Sequence, residues 1–314
     1  MGRVYTIGEA LIDFVPEERG SLKEAVHFEK KFGGAPANVA MIVSVLGGDA
    51  AFIGKVGEDP FGEFLKSKME EYNVDTSFVF FSKEAKTSLA FVSLDEEGDR
   101  DFIFYRNPSA DMELRKEEIA EIEFKKEDFL CFGSFALAKA PLKEAVKKIL
   151  ENIKQAGGTV LFDPNIREDI WKNKEELKNT LQEFLVYADI LKASEEEVLF
   201  LSGEKTVSEA VKVLKDKVSH LLVTLGKEGS LLIKGEKEIR RKGKEVNVVD
   251  TTGAGDAFVG AVLYQLQKKD RDLSLISLDE WENVLDYANK TAGIAATRKG
   301  AVEAVKEVAE RNGH

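Results

Sequence analysis

Gly253 and Gly255 stand in the run Asp250-Thr251-Thr252-Gly253-Ala254-Gly255-Asp256, and a helical pattern from Ala257 to Gln267 follows at once. Val246, Val248 and Val249 read as a strand leading in. Where a strand turns into a helix through small residues, backbone N–H groups can approach a ligand closely. The first N–H groups of a helix lack acceptors within it, and the helix dipole favours negative charge there. The turn Gly253, Ala254 and Gly255 is therefore an anion cradle suited to phosphate. Asp256 would repel that phosphate, which makes sense if its work is to take a proton from a hydroxyl attacking phosphorus. The plain alternative is a βα turn with a first-turn acid; seven contiguous residues in this context favour the chemical reading.

Residue types close off other routes. No G-x-x-x-x-G-K-[ST] run occurs; the stretch from Gly48 to Lys55 has the wrong spacing and continues into Val56. A dinucleotide G-x-G-x-x-G fails because Phe258 stands where the third glycine belongs. Cys131 is the only cysteine, which excludes an internal disulfide and a cysteine-based zinc site. Its place in Phe129-Leu130-Cys131-Phe132 reads as a buried, inert thiol. His27, His220 and His314 are spaced neither as metal ligands nor for an evident Ser-His-Asp site. The 45 basic and 57 acidic residues leave a formal charge of −12, the wrong sign for tracking a nucleic-acid backbone. A local basic pocket for one phosphorylated ligand stays open. With no apolar run near membrane-spanning length and no basic head before one, the expectation is a cytoplasmic protein with no nucleic-acid or membrane partner.

The 250–256 turn needs a scaffold, and short apolar runs alternating with helical patterns supply it. Val4 to Ile7, Ala51 to Val56, Val160 to Phe162, Ile190 to Leu191, Leu221 to Thr224 and Leu231 to Ile233 read as strands. Between them, Leu142, Ala145, Val146, Ile149, Leu150 and Ile153 form one helical stripe that stops at Gly157-Gly158. Asp59-Pro60 opens another helix to about Tyr72, and Ala37 to Leu46 is a third. This order predicts an α/β fold, a mostly parallel sheet between two helical layers. Two stretches lack crossover helices: Phe14 to Phe28, and Leu89 to Leu94 with Asp101 to Tyr105 around the turn signal Glu97-Gly98-Asp99. They read as a small β flap off the main sheet. At 314 residues and 43% apolar content, without a Pro/Ser-rich linker, one domain spanning 1–314 is expected, its discontinuous lid drawn from about 9–32 and 86–110.

The run Asp250 to Asp256 resembles the C-terminal signature of the ribokinase-like (PfkB) family of carbohydrate kinases. Phe32-Gly33-Gly34-Ala35-Pro36-Ala37-Asn38-Val39-Ala40 is similar to its N-terminal signature. Phe102-Ile103-Phe104-Tyr105-Arg106-Asn107-Pro108-Ser109-Ala110-Asp111 and Phe162-Asp163-Pro164-Asn165-Ile166-Arg167 resemble the fructokinase branch. The resemblance implies a three-layer α/β/α fold with a β lid. It makes Asp256 the catalytic base and the turn Gly253, Ala254, Gly255 the anion hole over the transferring group. It implies sugar contacts from Asp13, which follows the first strand, from the backbone of Gly33 and Gly34, and from Asn38. Each alone would read as a loop acid, a flexible turn and a first-turn amide.

Tyr105 and Arg106 end the second flap strand, and Arg106 is either a surface charge or a group that swings over the site when the flap closes. Arg167 lies beyond a strand ending in Asp163, where carboxyl ends of parallel strands line a ligand crevice. On the nucleotide side, Thr224, Gly226 and Gly229 resemble the family's ATP loop and Asn289 its adenine-pocket helix; alone they read as a hairpin and a surface amide. Ser194-Glu195-Glu196-Glu197 takes the place of the family's Asn-x-x-Glu motif, with Ser194 departing from asparagine. Glu197 matches the glutamate associated with Mg²⁺ through water, and a Ser N-cap explains the same residues. A monovalent cation such as K⁺ is implied at the carbonyls of Asp250 and Thr252 and the loop Arg298-Lys299-Gly300.

The reading is an ATP-dependent, Mg²⁺-assisted kinase phosphorylating a sugar, D-fructose at its C6 hydroxyl first. A 2-keto-3-deoxygluconate kinase is the alternative acceptor, with Arg106 and Arg167 pairing its carboxylate. A non-catalytic sugar or nucleotide sensor is the alternative from another class. A homodimer through the lid is the expected assembly. Phe78 to Phe81 with Phe91 and Phe104 are offered as its apolar face, although core burial explains them too.

Overall fold

Strands buried on both faces read as mainly apolar runs, and Val4–Ile7, with Thr6 as its one polar member, is such a strand, every side chain buried. The computed structural model describes residues 2–18, 20–94, 100–270 and 272–311. In chain order its strands are β1 (Val4–Ile7), β2 (Leu11–Pro16), β3 (Phe28–Gly33), β4 (Ala50–Gly57), β5 (Val79–Ser82), β6 (Leu89–Leu94), β7 (Arg100–Tyr105), β8 (Phe129–Gly133), β9 (Thr159–Asp163), β10 (Ile190–Ser194), β11 (His220–Thr224), β12 (Ser230–Lys234) and β13 (Lys237–Arg241). The α-helices are α1 (Ala35–Val45), α2 (Pro60–Glu71), α3 (Leu142–Ala156), α4 (Lys174–Leu185), α5 (Glu195–Ser202), α6 (Val207–Leu214), α7 (Ala254–Lys269), α8 (Leu278–Ala295) and α9 (Ala301–Arg311).

The main sheet runs β13-β12-β11-β10-β9-β8-β1-β4-β5. From β11 to β5 every pairing is parallel; β12 and β13 add antiparallel at one edge. Alternate strand residues feed two cores. Phe52, Cys131, Leu161, Ile190 and Leu222 pack with α1, α2, α7, α8 and α9. Ile53, Phe132, Phe162, Leu191 and Leu221 pack with α3 to α6 on the other face. This is the expected three-layer α/β/α arrangement. Helix limits follow the expected local chemistry: Asp59 caps α2 by accepting from the N–H groups of Phe61 and Gly62, and left-handed Gly157 stops α3.

The lid is a separate sheet, β3-β2-β6-β7. Its β2–β3 and β6–β7 pairs are antiparallel and β2–β6 is parallel. The turn Glu97-Gly98-Asp99 lies outside the described residues, as does His314.

Two expectations are corrected and one stretch gains an element that the sequence reading left open. Val246 to Val249 form no strand: the N–H groups of Val249 and Asp250 both donate to Ala296 O at the end of α8, and Val248 and Val249 are exposed. Phe129-Leu130-Cys131-Phe132, read only as an apolar run with a buried thiol, is the interior strand β8, between β9 and β1. Phe80 and Phe81 belong to edge strand β5 of the main sheet, and Phe104 packs inward against Phe135, so the proposed lid face does not exist as drawn. The outward aromatic cluster is instead Phe14, Phe28, Phe91 and Tyr105, with neighbouring ring centroids 5.1–5.5 Å apart.

Helices α1 and α7 meet at Gly260, where an added Cβ would stand 2.5 Å from Ile42 Cγ2. Gly260→Val is expected to force these helices apart at a cost of about 1–3 kcal/mol. Thermal unfolding should show a fall of several degrees; an unchanged midpoint would contradict the close contact.

Candidate active site

The carboxyl ends of β1, β8, β9 and β10 converge on a cavity of about 340 Å³ roofed by the lid. Such a crevice is where an open α/β sheet binds ligands. Its wall includes Asp256, Gly253 and Gly255 from the start of α7, Asn38 from α1, and Asp13, Phe102 and Phe104 from the lid.

Gly253 caps α7 in the left-handed region (φ 76°), where a Cβ would also strike Ala301 at 2.6 Å. Only glycine fits. The N–H of Ala254 donates to Thr251 O at 3.1 Å, and Gly253 and Gly255 line the cavity. Asp256, in the first turn of α7, is buried, and Asn38 Nδ2 donates to its Oδ2 at 2.9 Å. Burial pushes the Asp256 carboxyl above its ordinary range, opposed by the Asn38 hydrogen bond and by the charges of Lys192 and Arg167.

Beneath the lid, Gly33 leaves room for Asp13: a Cβ there would lie 2.4 Å from its Oδ2. Gly34 lines the cavity and would meet Glu9 O at 2.5 Å. Arg167 lines the cavity, and its guanidinium carbon sits 5.9 Å from the Phe102 ring centre.

Two residues are not where the sequence put them. Tyr105 points outward and is 63% exposed, because β7 alternates and Phe102 and Phe104 take the inner face. Arg106 is neither a surface charge nor a mobile one. It is buried, donating to Asp111 Oδ2 at 2.7 Å and Phe135 O at 3.1 Å, behind the cavity wall.

An adjoining cavity is lined by Asn165, Arg167, Lys192, Ser194, Glu196 and Glu197, among others. Ser194 and Glu197 form a capping box. Glu197 Oε1 accepts from Ile166 N and Oε2 from Ser194 N, both at 2.8 Å. With both oxygens so engaged, Glu197 suits a water-mediated hold on Mg²⁺ better than direct ligation. Thr224 pairs in register with Ser194 one strand over. Gly229 abuts Arg241 to Gly243, and Asn289 Nδ2 reaches the carbonyls of Arg241 and Lys242 at 3.3 and 3.4 Å. Two separate stretches assigned to the nucleotide side thus gather on one segment. Asp250, Thr252 and Gly300 line a further space of about 60 Å³ beside the cradle.

The sequence reading gave no site role to Lys192, Glu9 or Phe135, nor to Asp163, Asn165, Phe102 and Phe104, which it quoted only within motifs or as an outer lid face. A signal existed for two of them: Lys192 interrupts the otherwise apolar Ile190-Leu191-Lys192-Ala193, and Asp163 ends Val160-Leu161-Phe162. Lys192 Nζ lies 3.1 and 3.2 Å from the Asp163 oxygens. Burial pushes Asp163 up to about 7. Burial opposes the Lys192 charge, but Asp163, Glu197 and Asp256 outweigh it and raise its pKa.

Residues 1–308 match the profile of the pfkB family carbohydrate kinases. Over 308 residues the chain is 42% identical to the probable fructokinase-2 of Arabidopsis thaliana, covering 97% of this chain and 93% of that one. It is 42% identical to fructokinase-1 of Zea mays over 312 residues, 98% and 95% of the two chains. Among solved structures, Vibrio cholerae fructokinase with fructose, ADP and calcium ion superposes with a TM-score of 0.90 at 36% identity, covering 99% of this chain and 98% of that one. Salmonella enterica aminoimidazole riboside kinase, with its riboside and an ATP analog, gives 0.86 at 31% identity, covering 98% of each chain.

Glu9, buried at the cavity floor, has its carboxyl raised by burial from 4.5 to about 7. Its contribution to stability is fully present below about 4.5 and lost as pH rises through about 7. Glu9→Gln should therefore raise the melting temperature at pH 8.5 relative to wild type, and do so less or not at all at pH 4.5. An equal shift at both pH values would show that Glu9 carries no buried charge.

Proposed function

Because the chain belongs to the pfkB family of carbohydrate kinases, we propose that it transfers the γ-phosphoryl group of ATP to the C6 hydroxyl of D-fructose, giving fructose 6-phosphate and ADP. The observation that carries this reading is the buried Asp256, hydrogen-bonded to Asn38 beside the glycine cradle in a lidded cavity. The 39–42% identities to plant fructokinases support the choice of acceptor.

In this reading the sugar lies between Asp13, the Gly33–Gly34 backbone, Asn38 and Arg167, with its reacting hydroxyl at Asp256. The hydroxyl oxygen attacks the γ-phosphorus as the bond to the β-phosphate oxygen breaks. The hydroxyl proton passes to the Asp256 carboxylate, and the Gly253 and Gly255 N–H groups meet the charge on the phosphoryl oxygens. Asn38 orients the carboxylate. Ser194, Thr224, Gly226, Gly229 and Asn289 form the nucleotide side. Glu197 would hold Mg²⁺ through water, and the ion would supply neutralisation of charge on the phosphate oxygens. The space at Asp250, Thr252 and Gly300 suits a K⁺ ion that would steady the cradle. The lid excludes water from the reacting groups. Use of ATP fits a cytoplasmic setting. No helix among the described residues is long and apolar enough to cross a membrane.

A keto-acid acceptor is less well served. It would call on Arg106 and Arg167, and Arg106 is already committed to Asp111. A non-catalytic sensor is disfavoured by the presence of both base and cradle.

The lid's outer face carries Phe14, Phe28, Phe91 and Tyr105 with exposed Ile103, and it suits a second copy of the chain. Sedimentation should give a dimer that Tyr105→Glu converts to monomer; a wild-type monomer at micromolar concentration would exclude it.

Asp256→Asn should cut turnover by about 100- to 10,000-fold while ATP binding is kept. A coupled ADP-release assay over fructose, other sugars and keto acids should show fructose preferred. In wild type, kcat/KM should fall as pH drops through an apparent pKa above the ordinary carboxylate range, because the raised Asp256 must be ionised to act. Retention of most activity in Asp256→Asn would overturn the mechanism, and a keto-acid preference the acceptor.

A further inference from the structure

Strand β10 places a lysine where helices cover the sheet on both sides. Lys192 is buried, as are Ile190, Leu191 and Ala193 around it. Burying an ammonium is costly, and an ion pair that only fills a core is often replaced by apolar residues without loss. The position of Lys192 suggests a different use. It lines the cavity of Asp256 and also the adjoining one of Ser194 and Glu197. It therefore stands in the wall the two share. Its Nζ is also close to the cradle: a Cβ on Gly255 would lie 3.4 Å from it.

An ammonium has three N–H donors. Two directions are taken by the Asp163 oxygens at 3.1 and 3.2 Å, from β9. The groups whose charges act on it are Asp163, Glu197 from α5 and Asp256 from α7.

We propose that Lys192 is a catalytic residue that donates its remaining N–H to a non-bridging oxygen of the phosphoryl group as it crosses from nucleotide to sugar, with Asp163 as the positioning residue that aims it. This rests on the kinase reading above. In the transition state charge spreads over those oxygens, and a donor fixed beforehand needs no reorganisation. The lysine stays protonated throughout; the only proton moved is the one Asp256 accepts.

The test compares wild type, Lys192→Met and the double variant Asp163→Asn/Lys192→Met. Removing one donor to developing charge typically lowers kcat by about 100- to 1,000-fold. Lys192→Met should show a loss of that size with KM for sugar and ATP changed only a few-fold. It should also bind ADP normally but lose the added affinity that aluminium fluoride and fructose together confer on the wild-type complex. The double variant removes the buried Asp163 carboxyl that loses its partner in Lys192→Met, so it should regain thermal stability without regaining kcat.

Recovery of kcat in the double variant would make the lysine a structural counterion and overturn the proposal. So would a loss in Lys192→Met that disappears at high pH, because the lysine would then act only by keeping Asp256 ionised. An active wild type with an unimpaired Lys192→Met sinks this inference alone. A wild type that transfers phosphoryl to no hydroxyl acceptor sinks the kinase reading with it.

Discussion

A carboxylate held out of water, 2.9 Å from an amide of another helix and one turn into a helix start, is the constraint on which the rest of this structure depends. Burial alone would neutralise Asp256 by favouring its protonated form. The Asn38 amide and the nearby Lys192 and Arg167 charges oppose that tendency without cancelling it. A group so balanced keeps basicity that an exposed aspartate lacks, and proton transfer uses it. The balance requires α1 and α7 to stay in register, and their contact at Gly260 and Ile42 leaves no space for a side chain.

The charge arrangement around this group is unusual for a cavity that would receive a polyphosphate. Glu9, Asp13, Asp163 and Asp256 line it, against Lys192 and Arg167. A simple electrostatic trap for an anion would be lined the other way. Burial moderates that excess, raising the carboxyls of Glu9 and Asp163 to about 7, and Asp163 is paired with Lys192. Lys192 and Arg167 line both this cavity and the adjoining one of Ser194 and Glu197. Among the described residues no cluster of three or more side chains could hold a metal ion by itself. A divalent cation there would rely on phosphate oxygens and water, as Mg²⁺ commonly does.

What the sequence made legible divides along physical lines. Fold class, the limits of α2 and α3 and the lid strands β6 and β7 rest on local periodicity and capping, which short segments carry by themselves, whereas the stretch read from Phe14 to Phe28 is mostly the connection between β2 and β3. The cradle was readable for the same reason, being seven contiguous residues. The failures concern partners distant in sequence. Val246 to Val249 have strand-forming side chains but no strand beside them, since their backbone is claimed by the end of α8. The Lys192–Asp163 pair joins two strands 29 residues apart, and only a misplaced charge in an apolar run hinted at it.

The lid shows why residue type without orientation misleads. A strand sends successive side chains to opposite faces. Phe102 and Phe104 therefore wall the cavity while Ile103 and Tyr105 face away. Arg106, at the strand's end, is bound to Asp111 and lies 4.0 Å from the Phe135 ring centre. An arginine held by a buried carboxylate and a carbonyl cannot act as a mobile latch without stranding Asp111. Its effect on the site passes through what it touches: it fixes Phe135, a wall residue, and its charge bears on Glu9 at the cavity floor. The lid's contribution to the cavity is then a roof of phenylalanines over Asp256 with one carboxyl, Asp13, among them, while the other charged groups of the wall come from the strand ends and helix starts beneath it.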